Sequence, residues 1–174
     1  SYSPDELTDW VELDTYHADG APVDQMLYNP TTGEGLTGYT QTCGNGTACF
    51  VTDDGRYELR DMTTEDRWVI STFEDMPSHY FPGSVVTWRT TGDYGYDLHD
   101  LETGEVTPLY ACSVTDNTIA LYAKNGSLRV YDTDTGKIIT DTTVEPVENQ
   151  QSVMMDSAGN GYVWLALRNN DNYE

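Results

Sequence analysis

The feature that most constrains this chain is a turn phrase that recurs at a steady offset. "YDTDTGKII" (131–139) and "HDLETGEV" (99–106) share the phrase D-x-[DE]-T-G-[KE]-[VI], anchored at Asp132 and Asp100. A third copy, "DGRYELRDMTTEDRWVI" (54–70), places Gly55 six residues before Asp61, as Gly126 lies six before Asp132, with Thr64-Glu65 in place of Thr-Gly. The N-terminal copy is "LYNPTTGEGL" (27–36), and a fifth begins as "NGYVWLALRNND" (160–171). The anchors Asn29, Asp61, Asp100 and Asp132 are spaced by 32, 39 and 32 residues. A step of about 30–45 residues is that of a four-stranded propeller blade or a small solenoid unit.

Within a unit the pattern is one of strands. "TIALYAK", the dipeptide Asn125-Gly126, "SLRVYD", the turn "TDTG" and "KIITDTTV" read as three short strands joined by tight turns. Asn-Gly between alternating apolar runs is the strongest short hairpin signal. "SVVTWRT", "GYDLHDL" and "EVTPLY" repeat the scheme, as do "ACFVTD", "RYELRD" and "RWVIST". The expected units are antiparallel meanders at about 9–38, 46–72, 84–109, 117–144 and 151–174, because none contains the crossover helix that a parallel sheet requires. The turn residues have local work to do. Asn29, Asp61, Asp100 and Asp132 accept backbone N–H bonds from the turns that follow them, and Gly33, Gly104 and Gly136 take the positive φ that closes each hairpin. A calcium loop needs 6–8 oxygen ligands. Asp134 becomes Glu102 and Thr31 in the sister turns, so no common ligand set exists and no metal or other cofactor is expected.

The unit resembles the blade repeat of β-propellers, close to PQQ-like and YVTN-type repeats and to degenerate WD-type repeats. The resemblance covers residues 9 to 174 and implies an all-β fold of four-stranded antiparallel meanders in a propeller, with four readable blades and an incomplete fifth. It specifies fold better than function, since propellers host binding platforms, spacers and enzymes. The Gly-His and Trp-Asp dipeptides of regular WD repeats are missing. So is the adjacent Cys-Cys pair typical of quinone-dependent dehydrogenases, which disfavours a quinoprotein. The partial fifth unit implies that a longer chain, or a partner completing the open blade edge, closes the ring.

Composition narrows the partners. Of 174 residues, 30 are acidic and 8 basic, a formal net charge of −22. Such a chain opposes nucleic acid and anionic membranes, which need positive charge from the protein, and no apolar run is long enough for membrane insertion. Acidity fits a secreted or cell-surface protein, and also a simply solvated surface. Cys43 and Cys49 flank "GNGTA", where a tight turn brings two sulfurs within bridging reach; Cys112 is then left over as a small buried residue. No Cys or His pair has zinc spacing.

Two places break the repeat and are the candidate ligand or partner sites. "FEDMPSHYFPGS" (73–84) lengthens one step and sets Met76 just before Pro77 and His79, Tyr80 and Phe81 between Pro77 and Pro82, as an aromatic recognition loop or as cover for the core. "DTYHADG" (14–20) brings Asp14 and His17 close in sequence. No catalytic residue is expected: there is no nucleophile elbow, no H-E-x-x-H, no phosphate loop and no CxxC. The expected function is therefore a non-catalytic extracellular or cell-surface domain that binds a protein or glycan. The alternatives are a sugar-directed hydrolase or lyase with an acidic axial site, and a structural assembly module.

Overall fold

A computed structural model of the chain describes residues 7, 9–16, 22–90, 95–115, 117–145, 150–159 and 162–169. Among them there is no helix, and every strand pairing is antiparallel. The all-β, antiparallel expectation holds. The chain divides into two compact units, residues 1–80 and 81–174.

The first unit opens with a three-stranded sheet, β1 (Val11–Tyr16), β2 (Pro22–Asn29) and β3 (Glu34–Thr37). A four-stranded meander follows: β4 (Tyr39–Gly44), β5 (Thr47–Val51), β6 (Tyr57–Asp61) and β7 (Val69–Phe73). Its core gathers Leu27, Tyr39, Ala48, Phe50 and Met62, with Trp10 and Leu36 packed against them. Tyr39 meets Phe50 edge-on, ring centroids 6.1 Å apart, a favoured aromatic geometry. The β5 run Thr47, Ala48, Cys49 and Phe50 is buried on both faces, which is why it reads as continuous rather than alternating.

A seven-stranded sheet comes next, in simple chain order: β8 (Met76–Phe81), β9 (Ser84–Trp88), β10 (Tyr96–Asp100), β11 (Val106–Thr115), β12 (Thr118–Ala123), β13 (Ser127–Asp132) and β14 (Ile138–Thr143). A hairpin of β15 (Gln150–Gly159) and β16 (Tyr162–Asn169) ends the described chain. Phe81, Val86, Leu109, Ile119, Leu121, Ala123 and Tyr131 form the core of the second unit.

The long strand β11 changes partner along its length. Val106 and Leu109 pair with His99 and Tyr96 of β10. The register then shifts between Leu109 and Ala111, and Ala111 through Thr115 pair with Tyr122 through Thr118 of β12. The units expected at 84–109 and 117–144 are thus joined in one hydrogen-bonded sheet. β4, β8 and the second half of β11 precede the strands read from the sequence in those spans.

One backbone bond recurs in the repeat. The N–H of the residue after each anchor aspartate donates to a carbonyl in the hairpin turn one strand earlier: Met62 to Gly46, Leu101 to Gly83 and Thr133 to Asn117, each at 2.9 Å. The N-terminal copy carries Pro30 at this place, and proline has no N–H to give.

Candidate functional site

The anchor turns are built alike. Asn29 Oδ1 accepts the N–H groups of Thr31 and Thr32 at 3.0 and 3.1 Å. Asp61 Oδ1 accepts Thr63 N–H at 2.8 Å. Asp100 Oδ1 accepts those of Glu102 and Thr103 at 2.9 and 2.8 Å. Asp132 Oδ1 accepts the N–H and the hydroxyl of Thr135, both at 2.8 Å. Gly33, Gly104 and Gly136 each return an N–H to the anchor carbonyl at 2.8–2.9 Å, with φ of 76°, 74° and 68°. These bonds hold two carboxyls below the usual aspartate range, Asp100 through Thr103 foremost and Asp132 through the Thr135 hydroxyl foremost.

A cleft of about 300 Å³ opens in the second unit between two of these turns. Leu98, Tyr131 and Ile138 supply apolar lining, and Asp100, Glu102 and Glu105 bring carboxylates from the β10–β11 turn. Gly136 is part of the lining, and a Cβ there would collide with the Pro82 carbonyl oxygen. Tyr131 is buried with its ring centroid 5.0 Å from that of Phe81, so the lining is fixed from beneath by the core. Arg129, on β13 opposite Asp141, is the cation of the cleft. Its Nε donates to Asp141 Oδ2 at 3.2 Å. Hydrogen bonding to the Tyr131 side chain, then to Asp141, pushes its pKa up. With side chains 44% and 51% exposed, the Arg129–Asp141 pair adds little stability and leaves the guanidinium able to exchange partners. The cleft presents hydrogen-bond acceptors, one planar donor fork and an apolar lining; Asp100, held in its charged form by its own turn, is unsuited to proton donation near neutral pH.

The residues singled out by sequence fall elsewhere. Asp14 lies exposed on β1 and accepts the Gln25 amide at 3.2 Å; His17 lies outside the described residues. The stretch read as a loop between prolines is strand β8. Phe81 is fully buried in the core, where it serves as cover for that core. Met76, His79 and Tyr80 are half-buried. Burial, then the nearby Asp61 charge, pushes the Tyr80 phenol up. His79 Nδ1 lies 3.1 Å from Ser78 Oγ, and none of these residues lines the cleft.

The Cys43–Cys49 bridge is corrected. Both are free thiols, buried separately. The reason is register: Cys49 pairs with Gln41, Ala48 with Thr42, and Cys43 sits in the irregularity between Thr42 and Gly44. Its sulfur donates instead to the Pro77 carbonyl at 3.3 Å. Among the described residues no group of three or more His, Cys, Asp or Glu side chains is placed to hold a metal ion, and no helix is long and apolar enough to cross a membrane.

Sequence reasoning set aside Asp100 and Glu102 as turn residues and passed over Glu105, Arg129 and Tyr131. The signal for them was the repeat itself, since all lie in or beside the two best-kept copies of the phrase.

Fold and cleft together define an all-β protein of pinned antiparallel meanders with a polar cleft. The chain belongs to the family described as Domain of unknown function (DUF5046), which matches residues 27–174. No curated protein matches the sequence. Among solved structures, the computationally designed Ika4 protein is 16% identical, with 70% of this chain and 85% of that chain covered and a TM-score of 0.27. The computationally designed Ika8 protein is 14% identical, with 92% of this chain and 56% of that chain covered and a TM-score of 0.36.

Proposed function

We propose that the chain is a non-catalytic β-propeller-type interaction domain, extracellular or at a cell surface, that binds a protein or glycan partner. The observation that carries this reading is the partner change in β11. Divided at that shift, the seven-stranded sheet becomes two four-stranded meanders, β8 to the first half of β11 and the second half of β11 to β14. β4 to β7 is a third such meander. Four-stranded meanders repeated at this step are the blade unit of a propeller, and the shared bond after each anchor aspartate supports one repeated plan. The binding surface in this reading is the cleft. Its carboxylates accept hydrogen bonds from sugar hydroxyls or from basic side chains, whose aliphatic stems Leu98 and Ile138 cover. The deep net charge favours partners without excess negative charge.

The test is a binding screen of glycans and basic peptides with the intact chain and with a Glu102→Gln/Glu105→Gln variant. Saturable binding that the double variant weakens about tenfold, ~1.4 kcal/mol, is the expected result. Turnover of a glycan by the intact chain, or binding that the double variant leaves untouched, overturns the reading.

A further inference from the structure

The described turns hold two Asn-Gly dipeptides followed by a hydroxyl residue, Asn45-Gly46-Thr47 between β4 and β5 and Asn125-Gly126-Ser127 between β12 and β13. Their sequences are nearly the same; their surroundings are not. Asn45 is half-buried with φ 50°, and its amide nitrogen donates to the Tyr80 carbonyl at 3.1 Å. Asn125 is exposed. Its Oδ1 accepts the Ser127 N–H at 3.0 Å, and among the described residues no group holds its amide nitrogen.

We infer that Asn125 is a site of spontaneous deamidation through a cyclic imide, and that the fold protects Asn45 from the same chemistry. The Gly126 backbone nitrogen forms a bond to Cγ of Asn125 as the Cγ–Nδ2 bond breaks. The amide nitrogen leaves as ammonia, carrying away its own two hydrogens and the one from the Gly126 N–H. Water then opens the ring at either carbonyl, giving isoaspartate or aspartate; nothing is oxidised or reduced. Three features favour the step at Asn125. The negative charge of the tetrahedral intermediate falls on Oδ1, where the Ser127 N–H already points, a preorganised donor of the kind that stabilises oxyanions. Gly126 is buried, but it has no side chain of its own to crowd its nitrogen. The leaving nitrogen is open to solvent. One contact opposes it: the Gly126 N–H donates to the Ala123 carbonyl at 3.0 Å, a single turn bond that must open first. At Asn45 the Tyr80 carbonyl holds the leaving group and fixes the side chain.

Each event adds a negative charge to a chain already at −22. The isoaspartate product also lengthens the backbone inside a hairpin whose register runs Tyr122 opposite Leu128 and whose Gly126 carbonyl accepts the Val144 N–H at 2.8 Å. The chemistry loosens the β12–β13 connection as the protein ages.

The experiment incubates the intact chain at mildly alkaline pH in isotopically labelled water, then maps peptides with fragmentation that separates isoaspartate from aspartate. Asn45 serves as the internal control, and a parallel sample is held in denaturant. In the folded chain, conversion at Asn125 is expected to exceed that at Asn45 by about tenfold or more. In denaturant the two rates converge. Equal rates in the folded chain, faster loss at Asn45, or the same ratio with and without denaturant each overturn the inference. The Asn125→Gln variant keeps the hairpin glycine and is expected to lose the early charge variant in isoelectric focusing; its persistence assigns that variant to another residue.

Discussion

Two glycines of the same turn phrase separate two costs that sequence cannot distinguish. Gly104 and Gly136 both hold positive φ, but a Cβ at Gly104 meets nothing within 4 Å, while one at Gly136 would collide with the Pro82 carbonyl oxygen. Gly104→Ala is expected to cost only the left-handed strain, about 1–2 kcal/mol. Gly136→Ala adds displacement of a backbone carbonyl, so its urea midpoint falls further; equal losses contradict the packing of this turn on Pro82. The anchor carboxylates make a pH prediction. Asp100 and Asp132 are held below the ordinary range by hydrogen bonds from Thr103 and Thr135. Their stabilisation is fully present above the unfolded aspartate value of about 3.9 and is lost as pH falls through the lower folded values. An Asp100→Asn/Asp132→Asn variant keeps an acceptor oxygen but cannot titrate. Its stability is expected to decline less steeply than the parent's below about pH 4, and parallel curves from denaturant titrations refute the assignment.

At the scale of elements, β8 and β11 decide most. β8 carries Pro77, buried, and Phe81, fully buried, and it lies at the edge of its sheet, where a strand tolerates a proline. Phe81→Ala is expected to cost about 3–5 kcal/mol through the cavity it leaves, whereas Tyr80→Ala, at a half-buried position, costs clearly less; calorimetry of the two variants compares them directly. A reversed order places the recognition role back on Phe81. The thiols of Cys49 on β5 and Cys112 on β11 are each pushed up to about 11 by burial. At pH 8 only about one in a thousand is thiolate, so alkylation is expected to be slow until denaturant is added. Rapid labelling of the folded chain at both sites counts against this packing. The elements were unevenly legible. The strands after each Asn-Gly or Asx turn were readable because turn chemistry is local. "YTQTCG" and "MPSHYF" were not, because they lack clean alternation and one carries a proline, and only pairing with the following strand makes each of them a strand.

For the whole molecule, a formal charge of −22 means that the folded state works against its own repulsion. Added sodium chloride is expected to raise the thermal midpoint by screening it; a midpoint that falls or stays fixed with salt shows that local ion pairs such as Arg67–Glu34, at 2.6 Å, outweigh the general field. What the sequence alone determined is whatever depends on near neighbours: the all-β class, the spacing of the turn phrase, the turn aspartates and glycines, and the overall charge. What only the tertiary structure decided depends on register and on residues far apart in the chain. The offset of Cys43 from Cys49 by the irregularity at Thr42 and Gly44 keeps two thiols apart that spacing alone would join. The partner change in β11 brings Asp100 and Glu105 to the same cleft as Arg129 and Tyr131. A strand's side-chain period of two residues makes each such choice all or nothing, since a slip of one position sends every side chain to the other face.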